Sequence, residues 1–188
     1  MNILGLNAYG HDSAASILKD GNLVFAVEEE RLNRKKHSGA FPIESIHEAL
    51  KFSNLDISEI DHITFPWNPY IAIRNAPIYL LKYWKTLPIL LKEKKDFSME
   101  EQLGMINHFG DIKKIPKVIK ELFPGKKLKF KFHTLEHHMC HAASAFYPSG
   151  FDEAAILTYD GAGEWATTLL GHGKGKKIKK MHTIDTPH

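Results

Sequence analysis

Asn2-Ile-Leu-Gly-Leu-Asn-Ala8, Tyr9-Gly-His-Asp-Ser13, Ala14-Ala-Ser-Ile-Leu18, Asp20-Gly21 and Leu23-Val-Phe-Ala-Val27 follow one another at the start of the chain. The first, third and last are short apolar runs bounded by turn residues, which predicts three strands. Asp20-Gly21 lies between two of them and predicts a tight hairpin, because such turns need positive φ at residues that tolerate it. The reading is an antiparallel β-meander. Its first turn, residues 9–13, contains glycine and small residues, a loop shape in which backbone can approach a phosphate.

Glu28-Glu-Glu-Arg-Leu-Asn-Arg-Lys-Lys-His37 comes next, acidic and then basic. Most of these charges are expected on a solvated loop. The sharper expectation is that Arg34, Lys35, Lys36 and His37 curl back to meet an anionic ligand. Residues 42–52 carry apolar side chains at 43, 46, 49 and 50, with Pro42 at the start and Asn54 at the end, which predicts a helix. Residues 57–60 read as a turn and residues 62–65 as a brief strand. A βββαβ order is that of a ribonuclease-H-like α/β domain with a mixed sheet.

From Trp67 to about Gly125 the character changes to a helical insertion, about residues 67–125. Stretches 71–85, 89–95, 98–109 and 112–123 read as helices, broken at Pro77, Pro88, Gly110 and Pro116. Ser98 with Glu101 forms a capping-box signature, and Tyr79, Tyr83 and Trp84 are expected in the core. No motif here carries chemistry. Residues 128–133 alternate apolar and basic, a half-exposed strand. A short helix from His137 ends near Pro148-Ser-Gly150. Residues 154–159 read as a buried strand, 164–170 as another, Gly171-His-Gly-Lys-Gly175 as a turn and 176–184 as a last strand. Strand, turn and strand thus recur as they do at the N-terminus.

The 188 residues suffice for one good-sized α/β domain or a piece of a larger protein. A formal charge of +3 is small, and its lysines read as solvated faces without interleaved aromatics, so nucleic-acid binding is not expected. The single cysteine, Cys140, excludes an internal disulfide and suits a reducing cytosol. Met1 leads straight into a strand with no signal-type run, and Arg74, Lys82, Lys85 and two prolines interrupt the most apolar stretch. The expectation is a cytoplasmic chain that does not span a membrane.

Chemistry concentrates between Thr134 and Trp165. His137 and His141 are four apart, so a helix stacks them on one face, able to hold one metal ion. His138 is left out of that set as a hydrogen-bonding residue, and Cys140 reads as a small core side chain. Asp160, Gly161 and Gly163 end an apolar strand in a loop whose amides can approach a phosphate. One half of this stretch is a candidate metal site and the other a candidate phosphate site.

Four motifs in register, 4-Leu-Gly-Leu-Asn-Ala-Tyr-Gly-His-Asp-Ser-Ala-Ala-Ser-16, Glu28-Glu-Glu-Arg with Lys35-Lys-His37, His137-His-Met-Cys-His-Ala-Ala-Ser-Ala-Phe146 and Tyr159-Asp-Gly-Ala-Gly-Glu164, carry a resemblance. Together they resemble the N-terminal domain of the O-carbamoyltransferases of nodulation-factor and antibiotic biosynthesis. The resemblance implies the actin-like ATPase and sugar-kinase superfamily fold, with duplicated ribonuclease-H-like halves. It implies a further domain that makes a carbamoyl-adenylate from carbamoyl phosphate and ATP. It also implies a bound divalent metal, usually taken as Fe2+. Neither the second half nor the adenylate-forming domain lies within these 188 residues, so the expected partners are a small-molecule hydroxyl acceptor and a missing C-terminal half, on the same or a separate chain.

Carried over position by position, His137 and His141 match the family's metal histidines, with a further aspartate expected from the absent half. His11 and Asp12 match the catalytic His-Asp of its first loop. Asp160, Gly161 and Gly163 match its Asp-Gly loop, and Lys36 and His37 a basic pair near the ligand phosphates. The residue types suit carbamoyl transfer, in which a hydroxyl attacks a carbonyl, an oxyanion develops and a phosphate leaves. His11 and Asp12 both remain candidates for the base, and zinc or manganese also fits a site of two imidazoles and a carboxylate. Two other classes stay open: a sugar-kinase-like ATP-dependent phosphotransferase, which has no need of paired histidines, and an inactive half-domain that only binds metal or a partner.

Overall fold

The computed structural model describes residues 1–84, 99–161 and 163–185. The chain divides into two compact units, Met1–Phe65 with Lys85–His133, and Pro66–Trp84 with Thr134–His188. The stretch expected as one helical insertion is thereby shared between them.

The first unit is built on the expected meander. Strands β1 (Asn2–Asn7), β2 (Ala14–Lys19) and β3 (Asn22–Glu28) pair antiparallel, with Leu4 opposite Ile17 and Leu6 opposite Ala15. Asp20 and Gly21 form the hairpin turn with φ of 52° and 86°, as their pairing in the sequence demands. Strand β4 (His62–Phe65) joins parallel to β1, and β5 (Lys131–Thr134) completes a mixed sheet in the order β3-β2-β1-β4-β5. That order is ribonuclease-H-like. Strand β5 begins at Lys131 rather than at residue 128, because ladder bonding starts where the Lys131 amide donates to the Asp61 carbonyl.

Helix α1 (Glu29–Asn33) and helix α2 (Ile43–Ser53) follow the meander. Ile46, Ala49 and Leu50 bury one face of α2, and Asn54 ends it in a left-handed conformation with φ 52°. Here the expectation of a solvated acidic segment fails at Glu29, which is 4% exposed. Its carboxylate accepts from the amides of Glu44 at 3.1 Å and Ser45 at 2.7 Å. The first turn of α2 lacks a side-chain cap of its own, so a carboxylate from α1 satisfies those donors at the positive end of the helix.

Helix α3 (Pro69–Tyr83) belongs to the second unit and starts at Asn68, whose side chain accepts from the Tyr70 amide. It runs through Pro77 instead of breaking there. Helix α4 (Met99–Leu122), in the first unit, likewise runs through Gly110 and Pro116, where two helices were expected. Ile112, Ile115 and Ile119 are fully buried along one face of α4, and that packing outweighs the local cost of proline. The expected helix at 89–95 and the Ser98 capping box lie outside the described residues, as do the side chains of Tyr79 and Tyr83. Trp84 is 64% exposed and is not a core residue.

The second unit repeats the meander. Strands β6 (Glu153–Tyr159), β7 (Ala166–Lys174) and β8 (Lys177–Asp185) form an antiparallel sheet, with Leu157 opposite Leu170 and Thr168 opposite Ile184. Helix α5 (His137–Phe146) lies on one face, where Ala142 and Phe146 pack on Ile156 and Leu169. The expected turn at 171–175 is mostly strand: Gly171 and Gly173 belong to β7, and only Gly175 turns, with φ 56°. The physical reason is contact, since a Cβ on Gly173 would lie 2.6 Å from the Phe146 ring. Strand β6 is buried on that face alone; Leu157 and Tyr159 on the other face are exposed. Among the described residues no helix is long and apolar enough to cross a membrane.

The Glu29 cap generates a stability prediction. Glu29→Ala leaves two amides at a buried helix end without an acceptor and should destabilise the chain by about 2 kcal/mol. Urea unfolding followed by circular dichroism reads this as a lowered midpoint, and an unchanged midpoint would contradict the cap.

Candidate functional site

In the second unit, the four-residue spacing of His137 and His141 on α5 does what helical geometry requires and brings the two rings to one face. Their Nε2 atoms are 3.0 Å apart. Asp160, at the end of β6, places Oδ2 3.0 Å from each of them. The position of Asp160 is set by the sheet, since its amide donates to the Thr167 carbonyl at 2.9 Å. Its orientation is set by the loop, where the Gly161 amide donates to Oδ1 at 2.6 Å and leaves Oδ2 to the histidines.

The tautomer of His137 follows from its other nitrogen. Nδ1 lies 3.0 Å from the Pro66 carbonyl oxygen, which can only accept, so Nδ1 carries the proton. In the neutral ring Nε2 is then a lone pair aimed at a carboxylate oxygen and at a second imidazole nitrogen. One proton on His141 can serve only one of the three contacts at a time. Three converging electron-pair donors, one with its tautomer fixed by a backbone carbonyl, are what a divalent cation requires. The residues present therefore fit the metal that the resemblance implies. Partial burial works to raise the Asp160 carboxyl, but hydrogen bonding, which includes the fixed Gly161 amide, outweighs it and holds it below the ordinary carboxylate range. His137 is largely covered, with the Trp67 ring centroid 4.6 Å from its own, while His141 and Asp160 are about half-exposed.

The neighbours of this cluster are excluded from it. His138 is buried, with Nδ1 2.7 Å from Thr158 Oγ1 and Nε2 2.9 Å from the Ala166 carbonyl, so both nitrogens are used. Burial pushes the Cys140 thiol up to about 12, which removes it as a thiolate ligand. The phosphate role expected of Gly161 and Gly163 meets an obstacle, because both amides are already committed. Gly161 donates to Asp160, and Gly163 donates to the Ala166 carbonyl at 2.7 Å. Gly163 is instead small because a Cβ there would sit 2.8 Å from the His138 ring. Asp160, expected in the candidate phosphate loop, stands among the metal-type ligands. Glu164 carried no expected role, yet its carboxylate accepts from the amides of Asn68 and His137. Its only sequence signal is its place at the end of the Asp-Gly-Ala-Gly-Glu motif.

In the first unit, the loop between β1 and β2 gathers a different group. Tyr9 and Asp12 adopt positive φ of 68° and 57°. The loop is pinned by its neighbour in space: the Tyr9 amide donates to Gly39 at 2.8 Å and the Ser13 amide to Ser38 at 3.0 Å. Gly39 has no room for a side chain, since a Cβ would fall 2.1 Å from the Gly10 carbonyl oxygen. Asp12 then meets two imidazoles, with Oδ2 2.8 Å from His11 Nδ1 and Oδ1 3.0 Å from His37 Nδ1. Glu30 Oε2 accepts from the His37 amide at 3.1 Å. The structure thus joins His11, Asp12 and His37: of the basic segment, His37 turns back onto the Asp12 carboxylate. Lys36 is exposed and outside this hydrogen-bonded group among the described contacts. Neither Glu30 nor Gly39 stood out in the sequence, since both act through main-chain contacts with distant residues.

A family model described as Carbamoyltransferase N-terminus matches residues 2–188. The uncharacterized protein sll1178 of Synechocystis sp. is 40% identical over 194 residues, covering 99% of this chain and 29% of that protein. The nodulation protein NolNO of Sinorhizobium fredii is 33% identical over 178 residues, covering 95% of this chain and 23% of that one. The chain spans less than a third of the length of either curated relative. Among solved structures, YeaZ from Pseudomonas aeruginosa is similar with a TM-score of 0.45 at 10% identity, over 96% of this chain and 64% of that one.

Hydrogen bonds from His11 first, and then from His37, hold the Asp12 carboxyl below its ordinary range, and the same bond to Asp12 holds His37 above the ordinary imidazole range. The pairing contributed through Asp12 is present above the ordinary carboxylate range and lost as pH falls through the lowered value. The part contributed through His37 is present below the ordinary imidazole range and lost as pH rises through the raised value. The contact is therefore complete between the two ordinary ranges. NMR titration should find His37 deprotonating above an ordinary histidine, and Asp12→Asn should return it to ordinary. A wild-type His37 that titrates as it does in Asp12→Asn would contradict the pairing.

Proposed function

This chain belongs to the carbamoyltransferase N-terminal family, and on that premise we propose that it supplies the acceptor-side machinery of an O-carbamoyltransferase. The reaction moves a carbamoyl group, delivered as a carbamoyl-adenylate made from carbamoyl phosphate and ATP, onto a hydroxyl of a small-molecule acceptor. The observation that carries the reading is the meeting of His137 Nε2, His141 Nε2 and Asp160 Oδ2 at 3.0 Å from one another. These three would hold a divalent metal, Fe2+ on the family resemblance, and when bound it supplies a Lewis acid for a carbonyl or phosphoryl oxygen.

The chain's other residues divide the remaining work. Asp12 has both carboxylate oxygens engaged by imidazoles and a depressed pKa, so it is a poor proton acceptor. Its role is to receive the Nδ1 proton of His11, which leaves Nε2 of that exposed ring as a lone pair. His11 is accordingly the base that takes the acceptor's hydroxyl proton, with Asp12 orienting it and favouring the imidazolium that results. His37, favoured as a cation by Asp12, offers its other N–H to an anionic oxygen, and Lys36 adds a second positive charge. Gly161 and Gly163 contribute through Asp160 and His138 rather than through free amides.

The rest of the enzyme is proposed to come from the length that the relatives have beyond this region. The face of the β6-β7-β8 sheet away from α5 exposes Leu157, Tyr159, Leu170 and Ile184, an apolar patch suited to a completing half.

The test combines this chain with the completing polypeptide, Fe2+, ATP, carbamoyl phosphate and an acceptor. His11→Ala should lower transfer about 10²–10⁴-fold while bound metal stays at the wild-type level. Asp160→Asn and His137→Ala should lose metal and transfer together. Transfer by His11→Ala at the wild-type rate would remove the base, and ATP consumption driven by a sugar without a carbamoyl donor would favour phosphotransfer.

A further inference from the structure

Glu164 ties together the two pieces of backbone on which the His137 ring depends. Its Oε1 accepts from the Asn68 amide at 2.7 Å, and both of its oxygens lie 3.2 Å from the His137 amide. His137 is the first residue of α5, whose N-cap residue Glu136 makes no side-chain cap, so Glu164 supplies the missing acceptor and the favourable negative charge at that helix end. Asn68 is two residues after Pro66, whose carbonyl fixes the His137 tautomer. The next residue, Trp165, reinforces the tie by donating from Nε1 to the Ala72 carbonyl at 3.0 Å. The loop that carries Asp160 therefore also grips both the segment bearing the Pro66 carbonyl and the start of the histidine helix.

We propose that Glu164 is a positioning residue for the metal centre, holding Pro66 and His137 so that the imidazole keeps its proton on Nδ1 and its lone pair on Nε2. The proposal rests on the metal-binding reading of His137, His141 and Asp160. Glu164 lies four residues from Asp160, so one loop sets a ligand and the orientation of the ligand opposite it. Its carboxylate is committed to amides of 68 and 137, which separates its role from that of Asp160.

The test uses Glu164→Gln, which keeps the shape but turns one acceptor into a donor facing the His137 amide, and Glu164→Ala, which removes both acceptors. Two readouts are taken on the chain: the His137 tautomer in metal-free protein from imidazole 15N–1H correlation spectra, and Zn2+ affinity by chelator competition. In the wild type His137 should be the Nδ1–H tautomer. In Glu164→Ala it should become a mixture and Zn2+ binding should weaken about 10–100-fold, with Glu164→Gln weakened in the same sense. If Glu164→Ala does not fold, the isosteric Gln variant carries the same comparison. An unchanged tautomer in the variants overturns the proposal, whether or not Zn2+ binding falls. Unaltered Zn2+ binding in His137→Ala would refute the metal reading instead, and the tautomer readout would still decide whether Glu164 positions His137.

Discussion

A backbone carbonyl decides the chemistry of the second unit. Because the Pro66 oxygen takes the Nδ1 proton of His137, the opposite nitrogen faces the site as an electron pair. In the neutral ring that lone pair, set 3.0 Å from a carboxylate oxygen, is repulsive unless a proton or a metal ion stands between them. The sheet and helix exist in the register that produces this convergence. Ala142 and Phe146 seat α5 on Ile156 and Leu169, and the β6–β7 ladder ends with the Asp160 amide bonded to Thr167. A shift of one residue in that ladder would turn Asp160 to the other face of the strand.

The first unit also gathers carboxylates and imidazoles, with Asp12, Glu30 and His37 bringing ligand-type atoms within 4.8 Å of one another. Asp12 is held in a left-handed conformation by a loop that Ser38 and Gly39 pin in place, and it divides its two oxygens between His11 and His37. His37 also donates its amide to Glu30, so the group is tied together by hydrogen bonds.

Much of the fold was legible because it rests on local signals. Asp20-Gly21 specified the hairpin, the 43–46–49–50 spacing specified α2, and the i, i+4 histidines specified one face of α5. What was not legible depends on contacts between distant residues. Nothing near Glu29 says that amides 44 and 45 need its carboxylate. Pro116 signals a break, but the buried Ile112, Ile115 and Ile119 keep α4 continuous. Gly171 and Gly173 look like turn residues until Phe146 is seen against the strand. The same holds for the site: the glycines of the Asp-Gly loop suggested free amides, whereas the fold spends them on Asp160 and the Ala166 carbonyl. The proposal of His11 rather than Asp12 as the base rests on the two hydrogen bonds on Asp12, which do not show in the sequence.

X-ray absorption at the iron edge of the Fe2+-loaded chain tests the central claim most directly. The account predicts nitrogen and oxygen donors only, with the scattering signature of two imidazoles that falls to one in His141→Ala. A sulfur donor at about 2.3 Å, or an imidazole count that His141→Ala leaves unchanged, would contradict it.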